Sequence, residues 1–333
     1  MFGGNIDAPG RDLRELFGID RERFSKRLSA DVIINGVWSN SLNMHTFSKT
    51  YRLGLLVMVV AVASVRAQVK IPDEQKVGGF AVGCQAYTFN RFSVFEAIEK
   101  TDQAGGRTLE FFPGQKLSKE EPNVKFDHNS PDEVIEKVKV KLAKHSVTAV
   151  NYGVVQIDAD EAKARKIFDF AKKMGLYGIT TEADKSIDTI EKLVKEYDIR
   201  VGFHEHAKNP NNANYKVWDP NYVAELVKDR DSRIGACADT GHWATSGFKP
   251  LECLRILKGR IISVHLKERA AIGKSGPDII YGTGISEIGA MLDELKAQGF
   301  QGHISIEYEN NWDHSVPDVA QCIGFVRGYT AKK

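Results

Sequence analysis

The sequence predicts a (β/α)₈ TIM barrel of the α/β class over residues 77–333. Three observations carry this expectation. Short β-branched or aromatic runs alternate with amphipathic helical patterns eight times, which is what parallel strands joined by helical crossovers require. No hairpin signal interrupts the series, favouring a closed barrel over an open sheet. The residues available after the first sixty-odd match the roughly 250 usual for such a barrel.

The expected units run in order. Strand one is Phe80–Ala86, with a helix from Ser93 to about Ala104. Strand two is Thr108–Phe112, and the next helix opens at Ser130-Pro131, where Ser130 is expected to cap, Pro131 to take the first helical position and Glu133 the capping-box position. Strand three is Val147–Tyr152, and its helix runs from Asp160 to Met174 with Gly175 just past the end. Strand four, Tyr177–Thr180, precedes a helix over Ser186–Tyr197 that carries Ile187, Ile190 and Val194 inward. Strand five is Arg200–His204, followed by a polar loop and a helix over Pro220–Val227. Strand six is Ile234–Ala238, with a helix over Pro250–Leu257. Strand seven is Ile261–Leu266, then a glycine-rich loop through Gly284 and a helix over Ile288–Gln298. Strand eight is His303–Glu307, and a helix over Val316–Tyr329 closes the series.

The front of the chain reads differently. Lys49 and Arg52 precede an uncharged apolar run, Leu53 to Ala63, and Val65-Arg66-Ala67 places small residues at a cleavage point. Residues 44–67 are therefore expected to be a signal peptide, too short to span a bilayer comfortably. Residues 1–43 are expected to be an upstream extension, poorly ordered, with translation beginning at Met44. On that reading the protein is periplasmic or secreted, without stable membrane association after cleavage; otherwise it is cytoplasmic. The formal net charge of +2 supplies no argument for a nucleic-acid partner. Lys137, Lys139, Lys141 and Lys144 read as the wet face of a helix. Cys84, Cys237, Cys253 and Cys322 form no CxxC pair and read as four buried thiols. No GxGxxG follows the first strand, so a nucleotide cofactor has no support.

In a barrel, chemistry sits where strands meet the loops that follow them. Here strand two ends near Glu110, strand four is followed by Glu182, and strand five delivers His204-Glu205-His206. Strand six delivers Asp239 and His242, strand seven His265 and Lys267, and strand eight Glu307 and Glu309. Alternation puts His204 and His206 on one face and Glu205 on the other, toward the surrounding helices. Burying such a mixture without neutralisation is costly. One divalent cation held by Asp239, His265, Glu307 and either His204 or His206 resolves that cost. The N/O donor set suits Mn²⁺, Co²⁺, Mg²⁺ or Zn²⁺.

These residues lie in an ordered set of motifs: Leu109-Glu-Phe-Phe-Pro-Gly114, Phe203-His-Glu-His206, Ala238-Asp-Thr-Gly-His242, Ser263-Val-His-Leu-Lys-Glu268, Tyr281-Gly-Thr-Gly284 and Ser305-Ile-Glu-Tyr-Glu309. With them the chain resembles the sugar phosphate isomerase/epimerase family, the xylose-isomerase-like TIM barrels. The resemblance implies a metal held at the ends of strands five to eight, with Asp239, His265 and Glu307 as ligands. It also implies that His242 approaches substrate oxygens and that Lys267 faces the substrate. The departure is at strand five, where the ketose epimerases place a Glu and this chain offers His204, with His206 a close competitor.

The function expected is a metal-dependent isomerase or epimerase of a sugar or keto-sugar, working through an enolate. Glu307 would remove the proton, His206, Glu182 or Glu110 would return one, and Lys267 would stabilise the enolate oxygen. Two alternatives stand beside it: a lyase or dehydratase that expels a β leaving group from the same enolate, and a non-catalytic sugar-binding barrel. Trp218, Trp243 and Trp312 are candidate stacking platforms, with lid packing an equal alternative. A small-molecule sugar is the expected partner, and a homodimer the default assembly.

Overall fold

The computed structural model describes residues 69–332, so the expected signal peptide over 44–67 and extension over 1–43 lie outside the described residues. Eight parallel strands form the barrel: β1 (Phe80–Gln85), β2 (Thr108–Phe111), β3 (Thr148–Tyr152), β4 (Gly178–Thr181), β5 (Arg200–His204), β6 (Ile234–Asp239), β7 (Ile261–Leu266) and β8 (His303–Ile306). Each pairs with its sequence neighbours, and β1 joins both β2 and β8, which closes the ring. Closure leaves no barrel edge open to a foreign strand.

Local chemistry sets the helices that follow. Ser93 and Glu96 form a reciprocal capping box at the start of α1 (Val94–Gln103). α2 (Asp132–Lys144) begins one residue later than expected and has no side-chain cap. Ser130 does not cap it, because its hydroxyl closes the preceding turn, accepting from Asp127 N and donating to Lys125 O. Asp160 caps α3 (Glu161–Met174), and Gly175 ends it with φ 70°, a left-handed conformation that favours glycine. α4 (Ile187–Tyr197) turns Ile187, Ile190 and Val194 into the core, each burial worth about 1.5–3 kcal/mol. α5 (Pro220–Val227) follows β5. Between β6 and α7 (Pro250–Ile256) lies a one-turn-and-a-half helix not expected from the sequence, α6 (Thr240–Thr245). α8 (Ile288–Ala297) and α9 (Val316–Ala331) complete the ring.

Two short antiparallel pairings also escaped the sequence reading, Lys76–Val77 on β1 and Gln115–Lys116 with Lys125–Phe126 in the loop before α2. Strands of two residues carry no readable alternation. Two register shifts, between Leu109 and Glu110 on β2 and between Ile261 and Ser263 on β7, skip Val150 and Ile262 in the ladders. Both skipped residues join Ile71, Ala81 and Tyr177 in an apolar cluster separate from the main core. These residues lie toward the strand N-termini and form the barrel floor, while the main core fills the space between strands and helices.

All four cysteines are buried and unpaired. Lys137, Lys139 and Lys141 of α2 each pair with a glutamate rather than forming a free basic patch. Among the described residues, no helix is long and apolar enough to cross a membrane.

Candidate metal centre

The strands deliver their inward side chains to one point at the C-terminal mouth. His204 from β5, Asp239 from β6, His265 from β7 and Glu307 just past β8 each offer a ligand atom, all lying within 4.8 Å of one another. His204, Asp239 and His265 are almost completely buried, and Glu307 is 8% exposed.

The Asp-Thr-Gly-His turn after β6 explains how α6 positions its part. Asp239 Oδ1 accepts from His242 N at 2.8 Å and caps the helix, which leaves Oδ2 for the centre. Around Oδ2 stand Lys267 Nζ at 3.1 Å, His204 Nε2 at 3.5 Å, His242 Nε2 at 3.7 Å and His265 Nδ1 at 3.9 Å. Thr240 Oγ1 accepts from Lys267 N at 2.8 Å, tying the turn to the end of β7. A Cβ at Gly241 would lie 2.7 Å from the Lys267 stem, so only glycine lets the two segments approach this closely.

His265 is held from both sides. Nδ1 is 3.2 Å from Glu307 Oε2 and Nε2 is 3.1 Å from Glu110 Oε2, while Thr180 Oγ1 donates to Glu110 Oε1 at 2.5 Å. Glu110 is fully buried and lies outside the cleft lining, so it grips the far nitrogen of His265. His204 is gripped in the same way, with Nδ1 3.1 Å from Glu182 Oε1 and Nε2 toward Asp239. His206 is half exposed at the rim and also contacts Glu182 Oε1. The structure thus brings His204 into the four-residue cluster and leaves His206 above it, where Glu182, His204 and His206 form a second, looser group.

Electrostatics follow from this crowding. Burial opposes charge on Glu110, Asp239 and Glu307, yet neighbouring imidazoles and, for the latter two, the Lys267 ammonium hold all three carboxyls below their usual range. Burial likewise opposes charge on His265, but the surrounding acidic groups, Cys237, Glu110 and Glu307, lift its pKa well above the ordinary imidazole value. Burial also raises Glu182, but hydrogen bonds from His204 and His206 outweigh it and hold the carboxyl at about 2. His242 is pushed well down, chiefly by burial, and stays a neutral imidazole at the mouth.

His204 Nε2 is buried without a hydrogen-bond partner, and the group nearest Asp239 Oδ2 is the Lys267 ammonium at 3.1 Å. An orphaned buried nitrogen is costly unless something binds it. Two imidazoles and two carboxylates around these atoms match the donor set of a divalent cation, and no thiolate belongs to the cluster. The residues present therefore fit the expected metal.

Above the cluster opens a cleft of about 360 Å³. His204, His206, His242, Glu307 and Glu309 form its polar wall, Gln85 lies beside them, and Tyr87, Phe112, Pro113 and Val154 form its apolar side. Lys267 is buried beneath, with Nζ 2.8 Å from Glu307 Oε2 and 2.5 Å from Glu309 Oε1. Trp243 does not line the cleft. It is fully buried, packed behind β5 near Glu205, whose carboxyl burial raises well above its usual range. Glu205 thus faces the helices, as strand alternation requires. Trp218 stacks on Phe248 at 5.7 Å, also away from the cleft lining. Gln85, Tyr87 and Phe112 were absent from the sequence-based site. Gln85 could have been found as the last residue of β1, on the face shared with Ala81 and Gly83.

The family model for the xylose isomerase-like TIM barrel matches residues 98–327. The chain belongs to that family. Within the xylose isomerase-like fold, a protein from Parabacteroides distasonis ATCC 8503 is 29% identical, covers 75% of this chain and 99% of its own, and superposes with a TM-score of 0.61. A D-tagatose 3-epimerase-like protein is 17% identical over 75% of this chain and 97% of its own, with a TM-score of 0.59. The 3-keto-D-glucoside 4-epimerase of E. coli is 14% identical over 75% of this chain and 99% of its own, with a TM-score of 0.56. At these identities the last two are likenesses of fold. A comparison with functionally curated sequences found no match.

Proposed function

We propose that the protein is a metal-dependent isomerase or epimerase of a sugar or keto-sugar. The observation that carries this reading is the convergence of His204, Asp239, His265 and Glu307 beneath a cleft lined by further imidazoles and carboxylates. Family membership supports it, and two proteins of similar fold bear the names of sugar epimerases.

A divalent ion held by those four residues would supply Lewis acidity, polarising a substrate carbonyl or hydroxyl and acidifying the neighbouring C–H. His242, neutral and at the cleft wall, orients substrate oxygens through Nε2. Glu307 removes the carbon-bound proton. Ligation would lower the basicity of Glu307; Glu309 lines the same wall outside the four-residue cluster, ion-paired with Lys267 at 2.5 Å. The Lys267 ammonium, between Glu307 and Glu309, lies close enough to balance charge as the proton moves. At the rim of the cleft the His206–Glu182 pair returns a proton. Return to the neighbouring carbon isomerises the sugar, and return to the same carbon from the other face epimerises it.

One observation favours a second reading. His204 ends β5, where the family resemblance implies the glutamate of the ketose epimerases, so the mechanism with two opposed glutamates does not carry over to this chain. An enolate without a firm second acid expels a β leaving group more readily, which would make the enzyme a lyase of keto-sugars or 3-keto-glycosides. Incubation with Mn²⁺ and a panel of sugars in deuterated water, followed by NMR, tests both. Deuterium at carbon with a new isomer or epimer is expected. An unsaturated product would assign the lyase, and tight sugar binding with no exchange in any member would sink both in favour of a binding protein.

A further inference from the structure

The cleft has two chemically unlike sides, and neither suits a phosphorylated sugar. Among the described residues, no lysine or arginine lines it. Lys267 is fully buried and paired with Asp239, Glu307 and Glu309. The helix N-terminus nearest the centre, that of α6, is already capped by Asp239 Oδ1. Phosphate recognition relies on such cations or on free helix N-termini. Even with a dication bound, Glu182, Asp239, Glu307 and Glu309 against one ammonium leave the pocket formally negative, which repels a phosphate monoester.

The opposite side is aromatic. Tyr87 keeps 41% of its surface exposed at the cleft. Its ring is held by two edge-to-face contacts, with Phe112 at 5.4 Å and Trp312 at 6.0 Å between centroids. An Arg91–Asp313 ion pair at 2.6 Å bridges the loop after β1 and the loop carrying Trp312. A large aromatic left exposed but fixed in place offers a platform for a flat-faced ring.

We infer that the substrate is an uncharged glycoside, its reacting sugar against the metal cluster and its second ring, aryl or pyranose, on Tyr87 with Phe112 and Trp312 behind. This rests on the sugar-enzyme reading and adds the substrate class and the subsite. Phosphorylated sugars are excluded by charge, and simple monosaccharides bind weakly because they leave Tyr87 uncovered.

Calorimetric titration of the Mn²⁺-loaded protein with glucose, glucose 6-phosphate, methyl β-glucoside, phenyl β-glucoside and cellobiose tests the inference. Phenyl β-glucoside or cellobiose should bind at least tenfold more tightly than methyl β-glucoside, the tighter of the two identifying the ring as aryl or sugar. Glucose 6-phosphate should bind at least tenfold more weakly than glucose. Tyr87→Ala should erase the ring preference, Tyr87→Phe should retain it, and Trp312→Ala should reduce it about threefold. Equal binding of the 6-phosphate, a preference that survives Tyr87→Ala, or no binding by any member would each overturn the inference. Ring-selective binding without proton exchange would defeat the isomerase reading and leave this one standing; exchange on monosaccharides without ring preference would do the reverse.

Discussion

His265 sits between two carboxylates, and this pinning decides how the centre presents its ligands. With Nε2 committed to Glu110 and Nδ1 toward Glu307 and Asp239, the ring has one orientation. Partners of this kind fix a ligand's tautomer and raise its basicity. The sequence offers Glu110 as a candidate to return a proton, but its depth in β2 puts it beneath the cluster, outside the cleft lining. Calorimetric titration with Mn²⁺ separates the roles. Asp239→Asn should lower affinity at least tenfold, and an unchanged value would remove Asp239 from the ligand set. Glu110→Gln should lower it on the order of tenfold, the usual consequence of losing an outer partner, although Glu110 offers no atom to the cluster itself.

At the scale of the element, β5 and the residues just past it sort their chemistry by alternation. His204 and His206 turn to the mouth, whereas Glu205 turns into the layer of α6 and α7, where both its oxygens and the Trp243 indole N–H lack hydrogen-bond partners. Burial there raises the Glu205 pKa far above its value in an unfolded chain. The native state therefore holds a proton that the unfolded state releases, and stability falls as pH rises from the unfolded value toward the folded one. Glu205→Gln should remove that dependence. Thermal melts should show little difference from the parent near pH 4 and a gain at pH 8 of at least about 1 kcal/mol, or roughly 2–4 °C in a domain of this size. A parallel pH profile for the two proteins would mean that Glu205 is ionised in the fold.

For the molecule as a whole, closure of the barrel concentrates Glu110, Asp239 and Glu307 in a region with little solvent, and the energetic strain of that arrangement is relieved by any cation that binds the native state alone. Mass action then sets the gain: at a free Mn²⁺ concentration one hundred times the dissociation constant, about 2.7 kcal/mol. Melting temperature should rise by roughly 5–10 °C, and Asp239→Asn should show little of this rise at the same concentration. A parent protein whose melting point ignores Mn²⁺, Co²⁺, Mg²⁺ and Zn²⁺ alike would argue against a resident metal.

The eight barrel strands and the long helices between them were decided by the sequence alone, because periodicity, caps such as Asp160 and stops such as Gly175 act within a few residues of themselves. The same holds for three residues of the cluster, Asp239, His265 and Glu307: each lies at or beside the end of a strand, and strand order in a parallel barrel equals chain order. What only the tertiary structure decided depends on distance across the barrel. Depth along β2 moved Glu110 under His265, and packing behind β5 took Trp243 out of the cleft. Between His204 and His206 the strand's alternation offered no choice, since both share a face; one further step up the strand carries His206 out of reach of Asp239. Tyr87 and Trp312 meet across the seam where β1 joins β8, more than two hundred residues apart in sequence, and no local pattern records a contact made only when the ring closes.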